Sequence, residues 1–144
     1  MKKSLAPRSF SEVGFTLIEI LVVITIIVLL TAAAMVSYST FLKQSRDAKR
    51  KTDLEQIRAA LEMFRSNSTT NSYPTTGLSE LTAPIVYIQS VPKDPKDPTY
   101  SYYYSGSAAD YTLGAYLETT STCAVVISCT VANCNYCVGP YGQK

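Results

Sequence analysis

The residue types able to do chemistry in this chain fall in two places. "EVGFTLIEILVVITIIVLL" (Glu12 to Leu30) is apolar enough to enter a membrane, yet it carries Glu19 near its start. A carboxylate at bilayer depth costs roughly 2.5–3.5 kcal/mol on insertion scales, so it persists where it faces a partner rather than lipid. Glu19 therefore calls for a cation. The second place is the last 22 residues, which hold all four cysteines: Cys123, Cys129, Cys134 and Cys137. An even, clustered set in an exported domain with a small core points to two disulfides, with three pairings open. A four-cysteine zinc site is the rival, because Cys134 and Cys137 form a C-x2-C pair. Zinc knuckles usually carry two such pairs, however, and Cys123 and Cys129 have five residues between them. Disulfides are the expectation, and no metal site is assigned. Catalysis has no constellation behind it: serine and threonine are plentiful, but the chain has no histidine to activate one. Neither a catalytic residue nor a cofactor is expected.

The elements that position these residues follow from hydropathy and charge. Between Phe15 and Leu42 the only formal charge is Glu19, and the uncharged run after it exceeds the roughly 20 residues that span a bilayer as a helix. A buried core helix would need a far larger domain to wrap it on all sides. The leader "MKKSLAPRSFSEVG" is polar and basic. It carries the whole net charge of +2, with Lys2, Lys3 and Arg8 against Glu12, while the residues from Phe15 onward are balanced. That balance is not a polyanion-binding composition. An ordinary secretory signal would be cut after its apolar region, and "TAAAM" (Thr31 to Met35) offers an A-x-A-like site. Against that cut, the apolar stretch continues through Met35, Val36, Tyr38, Phe41 and Leu42, and a discarded peptide would have no use for Glu19.

After Leu42, "KQSRDAKRKTDLEQIRAALEMFRSN" contains no Gly or Pro, and Leu54, Ile57, Leu61 and Phe64 recur at helical spacing, so the helix runs on to about Arg65. Asp47 with Lys51, Lys49 with Asp53 and Arg58 with Glu62 sit at i,i+4 spacing and would support its surface. "SNSTTNSYPTTG" (Ser66 to Gly77) ends the helix. A proline-rich connection follows, with one helical turn at Leu78 to Thr82, and Pro84, Pro92, Pro95 and Pro98 exclude a central strand. "TYSYYYS", "DYTLGAYLE" and the β-branched "CAVVIS" read as strands. Tyr100, Tyr102 and Tyr104 share one strand face, and Tyr111, Leu113, Ala115 and Leu117 another. The expected fold is α+β: a long N-terminal helix, half apolar all round and half amphipathic, packed on a small antiparallel sheet head. Its segments are residues 1–14 (leader), 15–42 (membrane or filament-core helix), 43–66 (amphipathic helix) and 67–144 (connecting loop, sheet and cysteine-rich end).

"GFTLIE" at Gly14 to Glu19, after a short basic leader and before an apolar helix, resembles the start of a type IV pilin or pseudopilin precursor. "YPTTGLSEL" and "VPKDP" before a tyrosine-rich strand are similar to the major pseudopilin of type II secretion systems, and the resemblance covers roughly residues 1 to 118. It implies a structural filament subunit rather than an enzyme. A prepilin peptidase would cut between Gly14 and Phe15 on the cytoplasmic side and methylate the new amine of Phe15. Glu19 would pair with the N-terminal amine of a neighbouring subunit as the chain self-assembles with other pilins into a helical filament. The subunit would wait in the cytoplasmic membrane as a single-pass protein with its head outside, served indirectly by an assembly platform and its ATPase. A plain positive-inside count runs the other way, because Lys43, Arg46, Lys49, Arg50 and Lys51 flank the membrane exit more densely than Lys2, Lys3 and Arg8 flank its entrance. The major pseudopilin holds calcium in an acidic, glycine-rich C-terminal region. This chain has no carboxylate after Glu118, so the hard oxygen ligands are missing and no calcium site is carried over.

Two other functional readings remain open on sequence alone. One is a minor or competence-type pilin whose basic run "KQSRDAKRK" or tyrosines contact DNA or a surface. With Asp47 interleaved, that run reads more simply as a solvated helix face. The other is a conventionally secreted, disulfide-stabilised domain.

Overall fold

The computed structural model describes residues 14–144. The leader expected over residues 1–14 lies outside the described residues except for Gly14. Helix α1 spans Leu17–Asn67. The chain divides into two compact units, the first ending at Ser39 and the second running from Thr40 to Lys144.

The first unit is helical from Leu17 onward, and its apolar side chains are exposed on every face. None of its most apolar window is buried, and among the described residues it is the one helix with the length and composition of a membrane span. Two threonine hydroxyls within the apolar run are satisfied by the helix itself, as an apolar solvent demands. Thr25 Oγ1 donates to the Val22 carbonyl at 2.7 Å and Thr31 Oγ1 to those of Ile27 and Val28 at 3.0 Å.

The second unit is the α+β head. Leu54, Ile57 and Leu61 are fully buried, with Phe64 at the edge of the same stripe. They pack on an antiparallel sheet of order β1-β2-β5-β6, formed by β1 Tyr103–Gly106, β2 Tyr111–Ala115, β5 Tyr136–Gly139 and β6 Gly142–Gln143. Strands β3 Ser128–Cys129 and β4 Ala132–Asn133 form a separate two-stranded ribbon. The register sets Leu113 opposite both Tyr104 and Val138, so alternation turns Tyr111, Leu113, Ala115 and Val138 into the core they share with the helix. Gly114 and Cys137, paired on the opposite face, lie under the ribbon. A Cβ at Gly114 would stand 2.7 Å from Ile127 Cδ1 and 3.0 Å from Cys134 Sγ, so only glycine lets the ribbon lie this close. Beyond Ala115 the ladder is continued by a side chain. The Asn135 amide accepts from Leu117 N at 2.6 Å and donates to Leu117 O at 2.9 Å.

The helical turn after the first loop is a 3-10 turn at Leu78–Leu81, and no strand crosses the proline-rich segment between it and Tyr100. Two expectations are corrected. Only the end of "CAVVIS" is strand, because the cysteines hold this segment as a loop and a two-residue ribbon, with Val126 exposed. Tyr100 is not part of the tyrosine strand. It makes an isolated bridge to Thr130 and stacks on Tyr116 at 4.6 Å; Tyr102 also precedes the strand, which begins at Tyr103, although Tyr102 and Tyr104 both pack on the helix core.

Leu61→Ala removes the centre of the helix–sheet contact. The full chain in detergent should lose about 2–5 kcal/mol of head stability, read by urea denaturation with tyrosine near-UV circular dichroism. A loss below 1 kcal/mol would mean that this stripe does not carry the core.

Candidate assembly site

Glu19 sits in the first turn of α1, and Gly14, Phe15 and Thr16 precede the helix in non-helical conformation. The Glu19 amide donates to Thr16 Oγ1 at 3.2 Å and to the Thr16 carbonyl at 3.1 Å, so Thr16 caps the helix. The spacing T-x-x-E is a capping-box pattern, a signal present in "TLIE" that the reading of Glu19 as a bare charge passed over. A carboxylate there also faces the positive end of the helix dipole. Neither effect neutralises it. Glu19 is exposed among exposed apolar residues, Phe15 at 79 % and Leu17 at 83 %, and no basic residue lies between Phe15 and Leu42. Gly14 and Phe15, the residues expected to flank the cut, are both exposed.

The head contains a second concentration of charge, which sequence reasoning misplaced. Arg50 is fully buried, and Asp47 and Asp94 nearly so. The Arg50 guanidinium grips Asp94 with two bonds, Nε to Oδ2 at 2.7 Å and Nη2 to Oδ1 at 3.0 Å. Its Nη1 reaches Asp47 at 2.8 Å and Glu118 at 3.2 Å. Glu118 also takes two bonds from Arg46, at 2.6 and 2.7 Å, and one from Lys96 Nζ at 2.9 Å. Asp47 receives the Glu118 and Thr119 amides at 2.9 and 2.8 Å and the Thr119 hydroxyl at 2.7 Å. Three cations and three carboxylates cancel formally, and they join the helix, the loop at residues 94–96 and the end of the segment after β2.

The ionisation of the cluster follows from these contacts. The Arg46 guanidinium, working against burial and joined by Lys96 and Arg50, holds the Glu118 carboxyl well below the usual carboxylate range. Burial would raise Asp47, but the Glu118 and Thr119 donors and Arg50 outweigh it and keep that carboxyl below its ordinary value. Burial opposes the charge on Arg50 too, and its bonds to Asp94 and Asp47 more than restore it. Nearby, Tyr102 Oη donates to Asp53 at 2.7 Å. Burial, reinforced by that carboxylate, pushes the phenol far above its ordinary value and fixes it as a donor.

The basic run is therefore not a solvated face. Arg46 and Arg50 turn into the head, while Lys43, Lys49 and Lys51 stay exposed. The expected i,i+4 pairs do not form. Asp47 pairs with Arg50, Asp53 accepts from Tyr102, and Glu62 accepts from Tyr73 at 3.0 Å. The cysteines join as Cys123–Cys137 and Cys129–Cys134, with Cα separations of 5.3 and 5.1 Å, which leaves no thiolate for zinc.

A helix whose first unit is apolar on every face, followed by an α+β head that wraps one stripe of the same helix, is the architecture of a pilin-like filament subunit. Residues 38–118 match the family model described as type II secretion system (T2SS), protein G, and the chain belongs to this family. No curated protein and no solved structure matches it. The protein is thus a structural subunit of a secretion pseudopilus, a member of a family that assembles with other pilins in the secretion filament. Its long apolar helix is consistent with membrane anchoring. The match stops at Glu118, the residue that closes the charge cluster, so the cysteine-rich end lies beyond it.

Asp47 and Glu118 have folded-state pKa values below their unfolded ones, so the stability they contribute is complete at neutral pH. It should decline as pH falls below about 4, where the unfolded chain binds the extra protons. At pH 7, Arg50→Ala should cost about 3–5 kcal/mol in urea denaturation, because it leaves buried carboxylates unpaired. The gap between wild type and variant should narrow at pH 3, and an equal gap at both values would assign the loss to packing instead.

Proposed function

We propose that the chain is made as a prepilin, cut between Gly14 and Phe15 by a prepilin peptidase on the cytoplasmic side and methylated at the new amine of Phe15. Residues 15–42 then hold it in the cytoplasmic membrane with residues 43–144 outside, and assembly brings those helices together as the filament core. The subunit acts mechanically and has no active site of its own.

The observation that carries this reading is Glu19: an exposed carboxylate on an exposed apolar helix, with no basic residue between Phe15 and Leu42. Cleavage at Gly14 creates the missing cation, the ammonium of Phe15. Buried in an apolar bundle, either charge alone is severely unfavourable, while pairing between subunits satisfies both and sets their axial stagger. Such a contact is heterologous, joining different parts of two copies, and heterologous contacts that do not close into a ring build helical filaments. The two disulfides support an extracytoplasmic head, because disulfides persist in oxidising compartments. On that ground the positive-inside count is overruled.

Intact mass and N-terminal sequencing of the protein from its native membrane or sheared-filament fraction test the proposal. A chain beginning at methylated Phe15, with all four cysteines oxidised, is expected. A chain beginning near Met35, or one carrying four free thiols, would overturn it. Glu19→Ala should leave a folded, membrane-resident subunit that enters filaments poorly. Glu19→Gln preserves the capping-box pattern without the charge and should fail equally, so normal assembly by this variant would remove the charge-pair argument.

A further inference from the structure

The loop that ends α1 carries a feature that filament assembly does not use. Asn67-Ser68-Thr69 is an N-x-T sequence, the acceptor pattern for N-linked glycans on exported chains. Asn67 is the last residue of α1 and is exposed, as is Thr69. The Ser68 amide still bonds back to the Phe64 carbonyl at 2.9 Å, and the Asn71 amide to that of Ser68 at 3.1 Å, so the tripeptide forms a tight surface turn. The hydroxyl bonds of this loop run from Ser68 to Thr70 and from Thr70 to Ser72, bypassing Asn67 and Thr69.

A second observation points to a sugar. Asn67, Ser68 and Thr69 line one wall of an open groove of about 290 Å³ whose other walls include Phe64, Glu80 and Tyr87. Phe64 lies three residues before Asn67, one helical turn away, so the two side chains share a side of the helix. Its ring is only partly buried and meets Tyr87 edge-on at 5.5 Å. Glu80 is held by Thr76, whose amide donates to Oε1 at 3.0 Å. An aromatic wall with a few fixed polar groups is the composition of a ligand groove. Here it suits a saccharide ring, which lays its C–H face on an aromatic surface and gives hydroxyls to carboxylate and amide.

We infer that Asn67 is an N-glycosylation site and that its first sugar packs on Phe64 in this groove. The donor class is a glycan on a lipid pyrophosphate, transferred by a membrane oligosaccharyltransferase on the outer side. The sugar C1–O bond to the pyrophosphate breaks, and C1 forms a bond to Asn67 Nδ2. The lipid pyrophosphate leaves with the bonding electrons, and one amide proton passes to a base of the transferase. A glycan here would shield apolar surface beside the groove, where Ile85 is 57 % and Val86 62 % exposed. The inference rests on the extracytoplasmic placement of the head.

The test is intact mass and peptide mapping of the native protein, wild type and variants. Wild type should carry a glycan mass on the peptide containing Asn67. Asn67→Gln and Thr69→Ala should each lose that mass completely, and Thr69→Ser, which keeps the hydroxyl, should retain it at lower occupancy. An oxidised chain beginning at Phe15 with a bare Asn67 would overturn this inference alone. Four free thiols together with a bare Asn67 would overturn the placement of the head as well. A glycan mapped to serine or threonine of residues 66–72, or one that survives Thr69→Ala, would also refute it.

Discussion

The head is organised around one guanidinium. Arg50 has no exposed surface, and a cation removed from water is tolerated only where its donors are matched with good geometry. Its planar fork meets Asp94 with two bonds and then Asp47 and Glu118, a set of angles that a lysine ammonium could not satisfy together. Because these carboxylates belong to three separate stretches, satisfying Arg50 fixes where the helix, the proline-rich loop and the chain leaving β2 meet. Asp47 does double duty by receiving the amides of Glu118 and Thr119, so backbone groups at a strand exit are satisfied by a helix side chain. No buried side-chain polar atom among the described residues lacks a partner. That completeness lets so much charge sit inside a small domain.

The opposite face of the sheet is held by covalent means. The disulfides close loops with sequence separations of 14 and 5, and the larger loop falls where constraint of the unfolded chain contributes roughly 3 kcal/mol in the chain-entropy model. From Thr119 to Gln143 the sequence has no charged residue, so no ion pair can anchor this segment. Besides the β2–β5 ladder and the bonds of Thr119 to Asp47, its anchors include Asn135 pairing with Leu117, Gly114 admitting the ribbon, and the two sulfur bridges. A head of about 100 residues has limited core to spare for a second face, and staples of this kind are the usual compensation. The division between an ionic lock near the helix and sulfur bridges on the far face coincides with the end of the family match at Glu118.

Legibility from sequence followed the same division. The long helix, the stripe from Leu54 to Phe64 and the inward face of β2 were readable because apolar periodicity reports burial directly. The charge cluster was not, because the reading assumed that charged positions face solvent. Asp47, Arg50, Leu54, Ile57, Leu61 and Phe64 step by three and four residues, so the buried stripe begins with an ion pair in the register of the leucines. Their partners, Asp94 and Glu118, lie 44 and 68 residues from Arg50, and no local pattern reveals them. The start of the tyrosine strand is hidden for a related reason. Alternation of tyrosines shows which side chains share a face but not where pairing begins, and here β1 starts only at Tyr103. Glu19 was readable as an anomaly, while its cap by Thr16 required attention to spacing rather than polarity.

The two units answer two different solvents, and Glu19 is where the demands conflict. In the head the buried charges are neutralised or hydrogen-bonded within the chain and the remaining ones face water. In the first unit the helix exposes apolar surface, which suits lipid or the sides of other helices, except at this one carboxylate. The Thr16 cap satisfies the Glu19 amide rather than its carboxylate, and the helix dipole contributes about 0.3–1 kcal/mol to the charge, less than the roughly 2.5–3.5 kcal/mol cost of a carboxylate at bilayer depth. In the proposed assembly that remaining deficit belongs to the lone subunit and is removed when a neighbouring amine arrives. The residue that burdens the waiting subunit would therefore favour its passage into the filament, and it would do so in a single register, because one helix offers one such charge.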